Sequence, residues 1–460
     1  MRRIDVAAVI AAAGWLGFAT TPAAAATTSR VNLSDSGAEL AGWSYGASLS
    51  ADARYAAFES QAANAVAGDS NDTMDAFVRD VASGRTVRVS VSTEGTEAIG
   101  SSGSPAISSD GRYVAFTSDA RNLVAGDTTG DGYEDVFLRD RDTDADGIFD
   151  EPGEVSTTRM SVTTSGGEPN SSSIRPAIGD GRHVAFMSIA DNIVPGDTNE
   201  EDVFVRDVER SRTVRVSVST SGQQGNDWSW NPSISESGRW VAFTSEASNL
   251  VRADSNGHTF DVFVRDRDTD TDGVFDEAGA VRTTRVSVGG ILGNSGGQAG
   301  KISADGRHVV FVSHGTSSAV GTTWDVFSRD LSTNRTTLIS ASSGGASGNA
   351  SSQAPTISAD GRYVSFESDA SNLVPGDTNG VKDAFVRDRD TDADGILDER
   401  GAVRTARVSV SSTGLEANRD TFAPVVAANG TAVSFASEAT NLSETADSNA
   451  VMDVFLRSLP

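Results

Sequence analysis

SDGRYVAF, residues 109–116, returns in altered form six more times: ADARYAAF from Ala51, GDGRHVAF from Gly179, ESGRWVAF from Glu236, ADGRHVVF from Ala304, ADGRYVSF from Ala359 and ANGTAVSF from Ala428. Each copy opens on turn chemistry and continues as an alternation of apolar, aromatic and β-branched residues, the pattern of a half-buried strand. Two further landmarks follow each copy. The motif D-[VA]-F-x-R begins at Asp75, Asp135, Asp202, Asp261, Asp325, Asp383 and Asp453, and a segment of the type RVSVS begins at Arg88, Arg215, Arg285 and Arg407, with RMSV at Arg159. One unit is thus expected to hold four short strands: a before the turn, b after it, c at DVF and d at RVSVS.

A four-stranded sheet of this size cannot bury both faces, whereas seven packed around an axis can. The expected fold is therefore all-β, a seven-bladed β-propeller of four-stranded antiparallel blades spanning residues 27–460. The chain stops at DVFLRSLP, which supplies strand c of the seventh unit and no strand d. SRVNLSDSG at 29–37 copies TVRVSVSTEG at 86–95, so residues 27–37 are expected to close the ring as the outermost strand of blade seven. That arrangement leaves no unpaired closure edge.

Residues 1–26 read as a secretory signal: Arg2 and Arg3, an apolar run from Val6 to Ala19, then the small residues PAAAA. The chain is therefore expected to be exported, to the periplasm or the extracellular space. It contains no cysteine, so its stability must come from burial and backbone pairing, with metal as an optional addition, rather than from disulfides. The formal charge is −27, and removal of the signal leaves −28. Such a surface repels nucleic acid and anionic membranes and attracts cations. A monomer without membrane insertion is the expected state.

The S-x-D-G-R-x-V-x-F strand pair resembles the repeat of TolB-type and related bacterial propellers, over essentially the whole mature chain. The resemblance implies the fold. It implies little about activity, because propellers host unrelated functions.

The spacing between repeats alternates between short and long for one reason. From the aspartate closing strand c to the first residue of RVSV is 8 residues in Asp80–Arg88 and Asp207–Arg215, but 19 in Asp140–Arg159, Asp266–Arg285 and Asp388–Arg407. Blades two, four and six carry an acidic insertion in the c–d hairpin, with oxygen ligands at fixed spacing: Asp142, Asp144, Asp146 and Asp150; Asp268, Asp270, Asp272 and Asp276; Asp390, Asp392, Asp394 and Asp398. Hard cations such as Ca²⁺ take six to eight oxygens, and carboxylates at alternate positions of a tight loop can converge on one. The pattern D-x-D-x-D-G-x-x-D resembles the calcium loops of integrin α-type propeller repeats. That resemblance implies up to three structural Ca²⁺ sites, each held by these aspartates and by the backbone carbonyl of Ile148, Val274 or Ile396. A solvated acidic hairpin is the competing reading; the mutual repulsion of so many like charges, relieved by a divalent ion, favours coordination.

The b–c loops carry a second acidic signature, such as GDSNDTMD in blade one and GDTNGVKD in blade six, but the separation of its first and last aspartates varies, from 5 residues in Asp197–Asp202 to 8 in Asp127–Asp135. Variable spacing suits Asx-turns and loop-to-backbone hydrogen bonds better than a ligand set. Blade two, with Asp127, Asp131, Gly132 and Asp135, comes nearest to a metal loop. The d–a loops diverge most: Trp43, Tyr45, Trp228, Trp230 and Phe422 occupy matching positions where other blades have Ser, Gly or Gln, and Arg175 lies one place further along. Aromatics on polar loops suit stacking on sugars or gripping peptides, with packing between loops as the alternative. His183 and His308 fall where other blades have Tyr or Trp and read as packing residues. No histidine recurs with a serine or acid at triad spacing. The sequence thus points to a binding module or scaffold for a protein, peptide or glycan ligand. A secreted glycan hydrolase or lyase using channel carboxylates, and a structural cell-surface component, are the alternatives.

Overall fold

In the computed structural model, seven four-stranded antiparallel sheets account for all twenty-eight strands of the described residues, among which there is no helix. Those residues are 26–460 without 128–131, 199, 253, 255, 289–291, 293–295, 315–322 and 446. The expected secretion signal lies outside them except for Ala26, and so does Asp131. Blade one is representative: strand a, Ser44–Leu49; b, Tyr55–Ser60; c, Asp75–Asp80; d, Arg85–Arg88, joined in that order. The a strands of successive blades touch all the way round, so they line a central channel. Antiparallel pairing then places the a–b turns and c–d hairpins on one face and the b–c loops on the other, together with the approach to each a strand.

The repeat motifs form the core directly. The phenylalanine of strand b lies opposite that of strand c in every blade, as in Phe58–Phe77 and Phe116–Phe137, with ring centroids 5.7 to 6.2 Å apart. Strand d is shorter than expected. It ends at the arginine of RVSVS rather than beginning there, because the next serine replaces the backbone in the ladder: Ser90 Oγ accepts from the Ala76 amide at 3.1 Å and donates to Asp75 at 2.5 Å.

Ring closure follows the expected route, over fewer residues. Thr28–Arg30 pairs antiparallel with Asp453–Ser458 as the outer strand of blade seven. Asn32 takes the place of the ladder-ending serine, donating to Asp453 at 2.7 Å and accepting from the Val454 amide at 2.9 Å.

Each glycine of the a–b turn meets the ring that opens strand b of the preceding blade. A Cβ on Gly111 would lie 2.3 Å from Tyr55, and one on Gly306 2.1 Å from Trp240. Both glycines also hold positive φ, 79° and 74°, which adds a backbone reason for Gly. The joint between blades seven and one differs: Ala53, at φ 59°, replaces the glycine, and Ala432 replaces the ring. Around the channel, the turns are tied by backbone hydrogen bonds, Ala51 N to Ser109 O at 2.8 Å and Ala359 N to Ala428 O at 2.9 Å among them. These bonds draw that end of the channel together. The opposite end is the mouth.

Candidate functional site: acidic hairpins and channel mouth

In each acidic hairpin the first three aspartates converge. Asp142, Asp144 and Asp146 bring one carboxylate oxygen each within 4.8 Å of the others, as do Asp268, Asp270 and Asp272, and Asp390, Asp392 and Asp394. Two oxygens on a Ca²⁺ ion at about 2.4 Å can be at most about 4.8 Å apart, so each trio is close enough to share one metal ion. The loop is braced around its first acid, which accepts the Asp146 and Gly147 amides at 3.1 and 3.0 Å. Burial pushes the Asp142 carboxyl up, but these amide donors outweigh it and hold the group below its usual range. Asp144 is held above its usual range, by burial first and then by hydrogen bonding to Asp142 and repulsion from Asp146.

The fourth acid of each set stands apart from the trio. Asp150 is gripped by Arg141, with Nε and Nη2 at 3.0 and 2.6 Å, and Asp276 and Asp398 are held in the same way by Arg267 and Arg389. The reason is burial of the arginine, 2% exposed, which requires a counterion. Arg141 also donates to the Gly111 carbonyl at 2.7 Å and lies over the rings of Tyr55 and Phe149. The side chains of Ile148, Val274 and Ile396 are exposed. The residue after each reaches the preceding blade: Phe149 meets Tyr55 at 5.3 Å, Phe275 meets His183 at 5.4 Å, and the Leu397 carbonyl faces Arg335 at 3.5 Å. Each insertion therefore clamps a long blade onto the short blade before it.

The b–c aspartates have a role the sequence reading missed. In blade one Arg88, at the end of strand d, lies 3.3 Å from both Asp69 and Asp75 and is also bonded to Glu97. Arg159, Arg215, Arg285, Arg407 and Arg30 gather the equivalent acids. Asx-turns do occur, as at Asn71 and Thr73, but the outer aspartates are counterions. The trios Asp69–Asp75–Glu97 and Glu39–Asp447–Asp453 also bring carboxylates together, and in each a guanidinium, of Arg88 or Arg30, is ion-paired with all three acids. Burial outweighs this pairing at Asp69, Asp261 and Asp453, each pushed up to about 6. The signal was present in the chain: blade five has Leu338 for the arginine and GTTWD for the acidic loop.

At the mouth every a strand carries a bulge whose central residue is left-handed: Gly46, Ser104, Arg175, Asn231, Ala299, Ala354 and Ala423, with φ from 46° to 68°. Six of the seven are not glycine, a strain of roughly 1–3 kcal/mol apiece. Three bulge amides are satisfied from the preceding blade: Glu59 accepts from Ser104, Thr244 from Ala299 and Glu367 from Ala423. The predicted aromatics sit beside these bulges. Trp43, Tyr45 and Trp228 are 56%, 40% and 50% exposed. Trp230 instead packs edge-on against Phe260 at 5.1 Å, and Phe422 lies beneath Lys382 at 5.3 Å. Arg175 is exposed and donates to Asn231 at 2.6 Å. Burial, then Glu367 and Glu59, hold the Tyr45 hydroxyl above its ordinary range. The histidines at strand b are packing residues: His183 and His308 are each 2% exposed, and burial lowers His308 to about 4.

A ring of seven antiparallel blades with divergent residues at one mouth defines a seven-bladed propeller. No family model matches the chain, and no curated protein matches its sequence. Among solved structures it is similar to a putative TolB from Agrobacterium tumefaciens, with TM-score 0.37 and 14% identity over 65% of this chain and 80% of that one. It is also similar to an oligogalacturonate lyase from Vibrio parahaemolyticus, with TM-score 0.48 and 11% identity over 95% and 91% of the two chains. An oligogalacturonate lyase in complex with manganese gives TM-score 0.47 and 12% identity over 95% and 90%. These likenesses concern architecture and assign no activity.

Proposed function

We propose that this chain is an exported propeller that binds a protein, peptide or glycan ligand at its open mouth and is stabilised by calcium in its three acidic hairpins. The observation that carries the mouth is where exposed aromatic surface lies. All five exposed aromatic side chains of the described residues, Trp43, Tyr45, Tyr133, Trp228 and Phe260, belong to the mouth face. Exposed aromatics on strained, divergent loops suit ligand contact, whereas the exposed apolar residues of the other face, Val81, Ile148, Val274 and Ile396, are aliphatic. No helix among the described residues is long and apolar enough to cross a membrane.

The aspartate trios would hold calcium together with the carbonyl at Ile148, Val274 or Ile396, and the ion would supply charge neutralisation at the clamps. Asp150, Asp276 and Asp398 would act from behind, through the buried arginines, unless metal binding draws them away. Thermal melting with and without a calcium chelator tests this reading. Chelation is expected to lower the melting temperature of the native chain and to leave the combined Asp146→Asn, Asp272→Asn and Asp394→Asn variant unchanged; an equal melt for the native chain in both conditions removes calcium from the proposal. A glycan and peptide array, run on the native chain and on Trp43→Ala with Trp228→Ala, tests the mouth. Loss of signal in the variant supports it.

The enzyme alternative rests on one observation, the placement of Glu59 and Glu367 about Tyr45. Both carboxylates already accept a bulge amide, which suits a structural role better than acid–base work. Turnover of any array ligand, lost in Glu59→Gln, would reverse that judgement.

A further inference from the structure

Where blades three and four meet, the mouth face holds an open hollow of about 390 Å³, lined by Asn170, Ser171, Ile189, Glu201 and Trp228. Its apolar part is the Trp228 indole and the Ile189 side chain, both exposed. Neither is a repeated packing residue. Among the residues that match Trp228 in the other blades only Trp43 is aromatic, and the position of Ile189 holds Gln61, Asp119, Glu246, His314, Asp369 and Glu438 elsewhere.

The charge around this apolar floor is negative. The Trp228 backbone lies between an acid of its own blade and one of the preceding blade: its carbonyl accepts the Glu246 amide at 3.0 Å, and the next amide, of Ser229, donates to the Glu201 carbonyl at 2.7 Å. Asp227 accepts the Trp228 amide at 3.0 Å, and Asn170 of the lining donates to Asp191 at 2.5 Å. Burial holds the Glu201 and Glu246 carboxyls above their usual range, with repulsion from Asp227 adding to it at Glu246. Two basic groups meet these acids, and neither lines the hollow. Arg175, bonded to Asn231 at 2.6 Å, offsets part of the Glu201 charge, and His258 Nδ1 lies 2.7 Å from Asp227.

Four carboxylates set against one guanidinium and one imidazole leave negative charge beside an exposed indole. An indole face attracts an ammonium or guanidinium through its quadrupole, and carboxylates partly removed from water strengthen that attraction. A neutral sugar would stack on Trp228 without using the acids, and an anionic ligand would be repelled. We propose that the hollow takes a lysine or arginine side chain from a basic segment of a partner protein, with its cation at Trp228 and Glu201 and its methylenes along Ile189. This deepens the reading of the mouth as the ligand-binding face and rests on it.

Five of the six tryptophans lie outside the expected signal, so the indole N–H signals of a ¹⁵N-tryptophan-labelled chain can be told apart by NMR, that of Trp228 through its loss in Trp228→Phe. At about 0.15 M salt, which screens the general field of an acidic chain, the Trp228 signal is expected to shift saturably with acetyl-Lys-Lys-Lys-amide but not with acetyl-Glu-Glu-Glu-amide or cellotetraose. Glu201→Gln with Glu246→Gln is expected to weaken that response about tenfold. Glu209→Gln with Glu277→Gln, which removes the same charge from the hairpin face, is expected to leave it unchanged, with both variants folded by thermal melting. Equal weakening by the two pairs would assign the attraction to the charge of the whole chain and overturn the proposal. A Trp228 signal that ignores the lysine peptide overturns it as well; if array ligands still bind, the mouth reading stands without it. A shift with cellotetraose alone makes the occupant a glycan, which overturns the peptide and keeps the mouth. A blank array together with silent tryptophans removes both readings.

Discussion

At the hairpin face, six of the seven joints between blades repeat one contact, a turn glycine seated on the ring of the preceding blade. At the mouth the blades diverge: Tyr45, Gly103, Ile174, Trp230, Gln298, Gln353 and Phe422 occupy the one position before the bulge, and only glutamine recurs. Repetition at the first face reports packing that every blade must satisfy. Divergence at the second, over a backbone held in strained bulges, is what the proposed ligand-binding face would require.

Several changes would break or sharpen that contrast. The largest effect is expected from deleting residues 26–34, which removes the closing strand and leaves Asp453 without Arg30 and Asn32. A loss of roughly 5 kcal/mol or more in urea unfolding is expected, since buried acids lose their partners and an edge opens. Next, Arg407→Leu copies blade five at a site that still holds Asp377, Asp383 and Glu416, and should cost about 3–5 kcal/mol. Adding Asp377→Asn and Glu416→Ser should recover part of it; no recovery would mean that the arginine acts through packing alone.

Gly306→Ala, with a Cβ 2.1 Å from Trp240, should cost about 2–4 kcal/mol, whereas Gly395→Ala in an open hairpin position should cost about 1 kcal/mol. Equal costs would refute the interlock. A smaller effect concerns pH. Asp69, Asp261 and Asp453 have folded values near 6, above the unfolded carboxylate, so the folded state binds more protons between about pH 4 and 6. Stability should therefore rise as pH falls from 7.5 towards 5, and Asp261→Asn should flatten the rise in urea midpoints. Below about pH 4 the trend reverses as groups held low, such as Glu97 at about 2, are protonated. The smallest effect belongs to the mouth: Trp43→Ala with Trp228→Ala should change stability by less than about 0.5 kcal/mol while abolishing array signals.

The fold was legible because each blade repeats a local pattern, strand then turn then strand, whose periods do not depend on distant residues. The closing strand was legible as a missing copy found at the other end. The acidic trios were legible as spacing. What spacing could not show was competition: Asp150 fits a ligand pattern, yet Arg141, the residue immediately before the first aspartate of that pattern, needs it as a counterion once buried. The arginine clusters were missed because their members lie on a loop, a strand and the following loop, and only blade five, which lacks Arg and loop acid together, betrays the link.

The alanine pair at the seam has a consequence for assembly. A ring that closed one blade early would press Ala53 against Tyr363, the ring that now accepts Gly430 and that leaves 2.2 Å for a Cβ. Only Ala432 of the seventh blade offers Ala53 room. One missing ring on the seventh blade and one added methyl on the first would thus favour closure at seven blades over a circle of six.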